Sequence, residues 1–78
     1  MKKLNEVLTS LKGTGYRVKI SLNDTDLVFS GYPEHCVGDR FYLRPTRRST
    51  AISFPLDKIR RVEHTNKLYG GVLWEKIN

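Results

Sequence analysis

Residues 40–55 read Arg40-Phe41-Tyr42-Leu43-Arg44-Pro45-Thr46-Arg47-Arg48-Ser49-Thr50-Ala51-Ile52-Ser53-Phe54-Pro55. Phe41 and Leu43 alternate with Tyr42 and Arg44, and Ile52, Phe54 and Leu56 repeat the same spacing. Residues two apart share one face of a strand, so this stretch predicts two strands, each with a buried and a wet face. The polar run at 46–50, entered through Pro45, predicts an exposed hairpin loop carrying Arg47 and Arg48. Pro55 lacks an amide donor and therefore belongs at a sheet edge or at the strand's end.

The period differs upstream. Leu4, Val7, Leu8 and Leu11 fall at the offsets of one helical stripe, which predicts a short helix over residues 3–12. Lys12 suits the negative end of that helix, and Gly13 can take the left-handed conformation that closes it. Tyr16, Val18, Ile20 and Leu22 then alternate with Arg17, Lys19 and Ser21 as a half-buried strand. Asn23, Asp24 and Asp26 suit a turn, and Leu27 with Phe29 marks a second short strand. Residues 31–39, from Gly31-Tyr32-Pro33 onward, read either as a bulge in a bent strand or as a longer loop. Downstream, residues 57–62 predict a tight turn and a last short strand. Gly70-Gly71 is a further turn, and residues 72–77 form a C-terminal strand or a docked tail held by Trp74.

One helix followed by four or five short strands on short loops, with no room for parallel crossovers, predicts a single, mainly β domain over residues 1–78. Its strands lie within 15–63. A closed antiparallel barrel removes open edges, and a curved sheet with the helix laid across it is the alternative. With 78 residues, 38% of them hydrophobic, the core is small enough that a partner or a homo-oligomer would add to it. No apolar run is long enough for a membrane span, and the polar residues within 4–11 argue against a signal peptide. A single cysteine, Cys36, forms no intramolecular disulfide, so a reducing, cytoplasmic location is expected.

The net charge of +6 is regional. Arg40, Arg44, Arg47, Arg48, Lys58, Arg60 and Arg61 stand against Asp57 alone within residues 40–61, while basic and acidic residues balance elsewhere. Arginine grips phosphate through a planar donor fork and stacks on bases. Tyrosines beside it, Tyr42 with Tyr32 and Tyr16, supply stacking surfaces of the kind that single strands use. Arg40, Tyr42, Arg44, Arg47, Arg48, Arg60 and Arg61 are thus the candidate binding residues, for nucleic acid or, alternatively, for an acidic protein met by an inhibitor or assembly adaptor.

Chemistry is sparsely provisioned. Cys36 acts as a nucleophile only as its thiolate, and His35 beside it points to the opposite face of an extended chain, so a Cys-dependent enzyme is the weakest reading. His35, Cys36, Asp39 and His64 lack the paired spacing of a zinc site, and Asp24 with Asp26 is explained by the turn. Gly13-Thr14-Gly15 follows a helix and does not precede one, which is turn and not phosphate-loop placement. No enzyme activity, cofactor, metal or membrane partner is expected.

The order of elements, with 4–11 as the helix, 16–22 as the first strand and 52–62 as the last paired elements, resembles the Sm-like subset of SH3-like barrels over roughly residues 4–62. The resemblance implies a small barrel of four to five antiparallel strands with a short N-terminal helix, ring assembly and RNA binding. Residues 23–26 depart from it in having no glycine in the first hairpin.

Overall fold

A computed structural model describes residues 3–66, 68 and 71–76. Tyr69, Gly70 and Ile77, which the sequence assigns to a turn and to the C-terminal segment, lie outside the described residues. The helix α1 runs Leu4–Leu11, with Val7, Leu8 and Leu11 buried. At its start the Lys3 backbone N–H donates to the Glu6 carboxylate at 3.3 Å, which satisfies one of the donors a helix leaves open. At its end Gly13 has φ +80, and Thr14 donates from both its backbone N–H and its hydroxyl to the Leu11 carbonyl.

Six strands follow: β1 Val18–Leu22, β2 Val28–Val37, β3 Arg40–Arg44, β4 Ile52–Pro55, β5 Ile59–His64 and β6 Val72–Glu75, with a 3-10 turn, Leu56–Lys58, ahead of β5. They form one antiparallel sheet in the order β4-β3-β2-β1-β5-β6. The long strand β2 joins its halves: Val28 to Gly31 pair with β1, and Tyr32 to Val37 pair with β3. The two halves meet across the core, where Phe29 of β2 packs on Phe54 of β4 at 5.0 Å between rings. Val18, Ile20, Phe41, Leu43, Ile59 and Val62 are fully enclosed there, and α1 lies over β2 with its apolar stripe inward.

The expected SH3-like or Sm-like barrel of four to five strands is not what forms. The sheet is open and six-stranded, and among the described residues no ladder joins its end strands, β4 and β6. The reason is local. The edge of β5 that closure would use already pairs with β6, through Arg61 with Glu75, Val62 with Trp74 and Glu63 with Val72. At the other end β4 is only four residues long and finishes on Pro55, which offers no donor to a further strand. The likeness to Sm-like barrels accordingly falls away, and with it the support that the resemblance lent to ring assembly and RNA binding. The fold is mainly β with one N-terminal helix. No helix among the described residues is long and apolar enough to cross a membrane.

Two backbone features shape one outer face. Gly31 is buried where β2 crosses β3; a side-chain carbon there would press on the Arg44 carbonyl oxygen and stand 2.8 Å from Pro45 Cα. The close approach therefore requires glycine. Further along β2 the register shifts between Pro33, opposite Leu43, and Cys36, opposite Phe41. Glu34 and His35 together face the single residue Tyr42, the two-against-one count of a β-bulge. Of the two alternatives for residues 31–39, the bent strand is the one adopted.

Candidate functional site

Period two puts Arg40, Tyr42 and Arg44 on the face of β3 opposite the buried Phe41 and Leu43. The bulge adds both of its residues to that face. Glu34 accepts from Arg44 Nε at 2.8 Å, and the His35 ring lies 5.7 Å from that of Tyr42, tilted by 34°. Arg40 donates from Nε to the Ser53 hydroxyl at 3.1 Å, which steadies the far end of the row.

At the near end Tyr32 pairs in register with Arg44 and shares its face. The Arg44 guanidinium also holds the Ser49 carbonyl, and Ser49 N–H donates to the Thr46 carbonyl at 3.2 Å. That i to i+3 bond makes Arg47 and Arg48 the central pair of a turn. The turn aims Arg47 over the Tyr32 ring, 5.1 Å from its centroid, and Arg17, just ahead of β1, stands 5.7 Å from the same ring. Both contacts are within cation–π range. Leu11, Gly13, Gly15, Tyr16, Tyr32, Pro33, Glu34 and Arg47 enclose a groove of about 290 Å³ beside them. Gly13 and Gly15, each at φ +80, form its α1 side without side chains.

The structure thus brings Arg40, Tyr42, Arg44 and Arg47 onto one surface, with Arg48 exposed at the tip of its loop. Arg60 and Arg61 lie elsewhere. Arg61 faces Ser21, three residues along β1 from Val18 and so roughly 10 Å from the Tyr32 end. Arg61 is also occupied: its Nε donates to Glu75 at 2.7 Å and its NH1 stands 3.6 Å from Glu63. The hydrogen bond and charge of Glu75 raise its pKa above the ordinary guanidinium value. Arg44 likewise has its charge balanced by Glu34. Arg17, Glu34 and His35 are not among the binding residues that the sequence proposes, although His35 is weighed there as a base or metal ligand. Arg17 sits in a separate segment; His35 follows from alternation with the inward Cys36, and only the bulge turns Glu34 outward.

The alternative chemistries gain little. Cys36 faces the core, and burial pushes its thiol above the ordinary cysteine pKa, which suppresses the thiolate. His35 turns away toward Tyr42, and His64 packs edge-on against Tyr16 at 5.2 Å. Among the described residues no three His, Cys, Asp or Glu side chains gather as metal ligands. A second groove, apolar and of about 340 Å³, runs between Leu4, Leu56, Ile59 and Trp74. The chain matches no protein-family model, no curated protein and no solved structure.

Proposed function

We propose that the protein is a noncatalytic, regulatory or accessory nucleic-acid-binding protein that takes single strands along the outer face running from Arg40 through Tyr42 and Arg44 to Tyr32 and Arg47. The observation that carries this reading is Tyr32 flanked by two guanidiniums, Arg47 at 5.1 Å and Arg17 at 5.7 Å, on the same face as the Tyr42–His35 pair. Aromatic rings offer bases a stacking surface, and arginines beside them meet the phosphates between those bases. Arg47, Arg48 and Arg17 have no carboxylate partner among the described residues, so their charge is available to phosphate. Arg44 serves mainly to fix the loop. A cytoplasmic location suits both this ligand and the free thiol of Cys36.

Fluorescence anisotropy with labelled single-stranded DNA, single-stranded RNA and duplex DNA across a salt series tests the proposal. Single strands are expected to bind more tightly than duplex, with affinity falling steeply as salt rises. Replacing both Arg47 and Arg48 with Ala should flatten the log–log salt slope by about 1.4, the value for two lost phosphate contacts on a single strand. Arg60→Ala should leave it unchanged. Absence of affinity for any of the three at low salt overturns the proposal and favours an acidic protein partner.

A further inference from the structure

We propose that the groove beside Tyr32 selects guanine, with Glu34 as the residue that reads the base; the inference rests on the single-strand reading above. Its lining combines two tyrosines, an arginine, two bare glycines and one carboxylate, in about 290 Å³. A carboxylate is out of place in a surface that only attracts phosphate, because it repels the ligand. Here Arg44 balances that charge through a single bond from Nε to Glu34 Oε1. A carboxylate offers about four lone-pair sites, and Oε2 has no donor among the described residues, so the group keeps most of its accepting capacity and about a quarter of its side-chain surface exposed.

An acceptor-only group facing a stacked base requires donors on that base. Guanine alone presents two adjacent donors on its pairing edge, the N1–H and the N2 amino group, spaced to meet both oxygens of one carboxylate. Cytosine and adenine each present one amino group beside an acceptor, and uracil or thymine one ring N–H between two carbonyls. Those acceptors face the carboxylate oxygens unfavourably. The open space over Gly13 and Gly15, where nothing lies within 4 Å of an added side-chain carbon, lets a base enter on the α1 side. Arg47 stands over the Tyr32 ring, so a base stacks on Tyr32 as the Arg47 guanidinium moves from the ring to the neighbouring phosphate.

The test titrates the unsubstituted protein with a short oligothymidylate strand and with the same strand carrying one central guanine, adenine or cytosine. The guanine strand is expected to bind roughly tenfold more tightly than the other three, the scale of one two-bond base contact. Glu34→Gln, which keeps an acceptor for Arg44 but puts a donor in place of one oxygen, should erase that preference while affinity for the thymidylate strand stays or rises. Equal affinity of the unsubstituted protein for all four strands overturns the guanine inference and leaves the single-strand reading standing. Failure to bind any strand overturns both. A guanine preference that persists in Glu34→Gln overturns the assignment to Glu34, and the comparison of strands on the unsubstituted protein decides independently of how that variant folds.

Discussion

Replacing Phe41 with Ala is expected to lower the stability of this domain by about 3–5 kcal/mol, the usual cost of removing a fully buried phenylalanine. Phe41 is completely enclosed and pairs across the β3–β4 ladder with Phe54, which in turn packs on Phe29. These rings occupy the space between the two halves of the sheet. Because the sheet does not close on itself, the two halves are linked through β2 and, among the described residues, by no ladder between the end strands β4 and β6, so truncation of Phe41 opens a cavity where packing holds the halves against each other. For 78 residues the whole stability is on the order of 4–12 kcal/mol, so the loss is a large share of it. Urea unfolding followed by Trp74 fluorescence measures it. Phe41→Leu, which retains most of the volume, should cost about 1 kcal/mol. A midpoint for Phe41→Ala equal to that of the parent would show that the core does not depend on this contact.

Gly31→Ala is expected to cost about 2–3 kcal/mol, a loss that follows from overpacking and not from a cavity. The added carbon meets the backbone of Arg44 and Pro45, which cannot rotate away as a side chain can. Relief requires β2 and β3 to separate, and the pairing of Tyr32 with Arg44 lies one residue away. The same substitution should therefore disturb the position of Tyr32 under Arg47 and weaken strand binding even where the protein remains folded. Thermal unfolding combined with anisotropy under folded conditions measures both effects. An unchanged melting temperature would contradict the close approach of the two backbones.

Much of this architecture is carried by alternation that residue order alone displays. Phe41 and Leu43 against Arg40, Tyr42 and Arg44 define the two faces of β3, and the offsets of Leu4, Val7, Leu8 and Leu11 define the buried stripe of α1. Two things go beyond such local patterns. The first is the position of the bulge, which residues 31–39 offer only as an alternative to a loop. The two-residue turn Gly38-Asp39 sets Val37 opposite Arg40, and uninterrupted counting from it would place Glu34 opposite Leu43, in the core, and Pro33 opposite Arg44. One extra residue reverses this, so Pro33 goes inward, while Glu34 turns out to Arg44 and Tyr32 becomes the partner of Arg44. The advantage is a carboxylate kept out of the core, a nonlocal effect that the run Tyr32-Pro33-Glu34-His35 does not announce.

The second is closure. Short strands and a small core favour a barrel on general grounds, but whether the last edge is free depends on residues 72–75, whose partner is not written in their own spacing. Val72, Leu73 and Trp74 occupy the outer edge of β5, and the sheet stays open. The charge map divides for the same reason. Arg60 and Arg61 are near Arg47 and Arg48 in sequence density, yet β5 carries them to the far end of β1, where Glu75 and Glu63 take up Arg61. Net charge by segment locates a basic region, while the sheet order decides which of its arginines share a surface.

We propose that a single strand lies along one outer face, from Arg40 to Arg47 with Tyr32 and Arg17. Backbone amide chemical shifts of the full chain, followed by NMR while a short oligothymidylate strand is added, test this placement. The expected result is a continuous set of shifts at Arg17, Tyr32, Glu34, His35, Tyr42, Arg44, Arg47 and Arg48, with Arg60, Arg61 and β6 unmoved. Shifts centred on β5 and β6, or none at saturating strand, would contradict it.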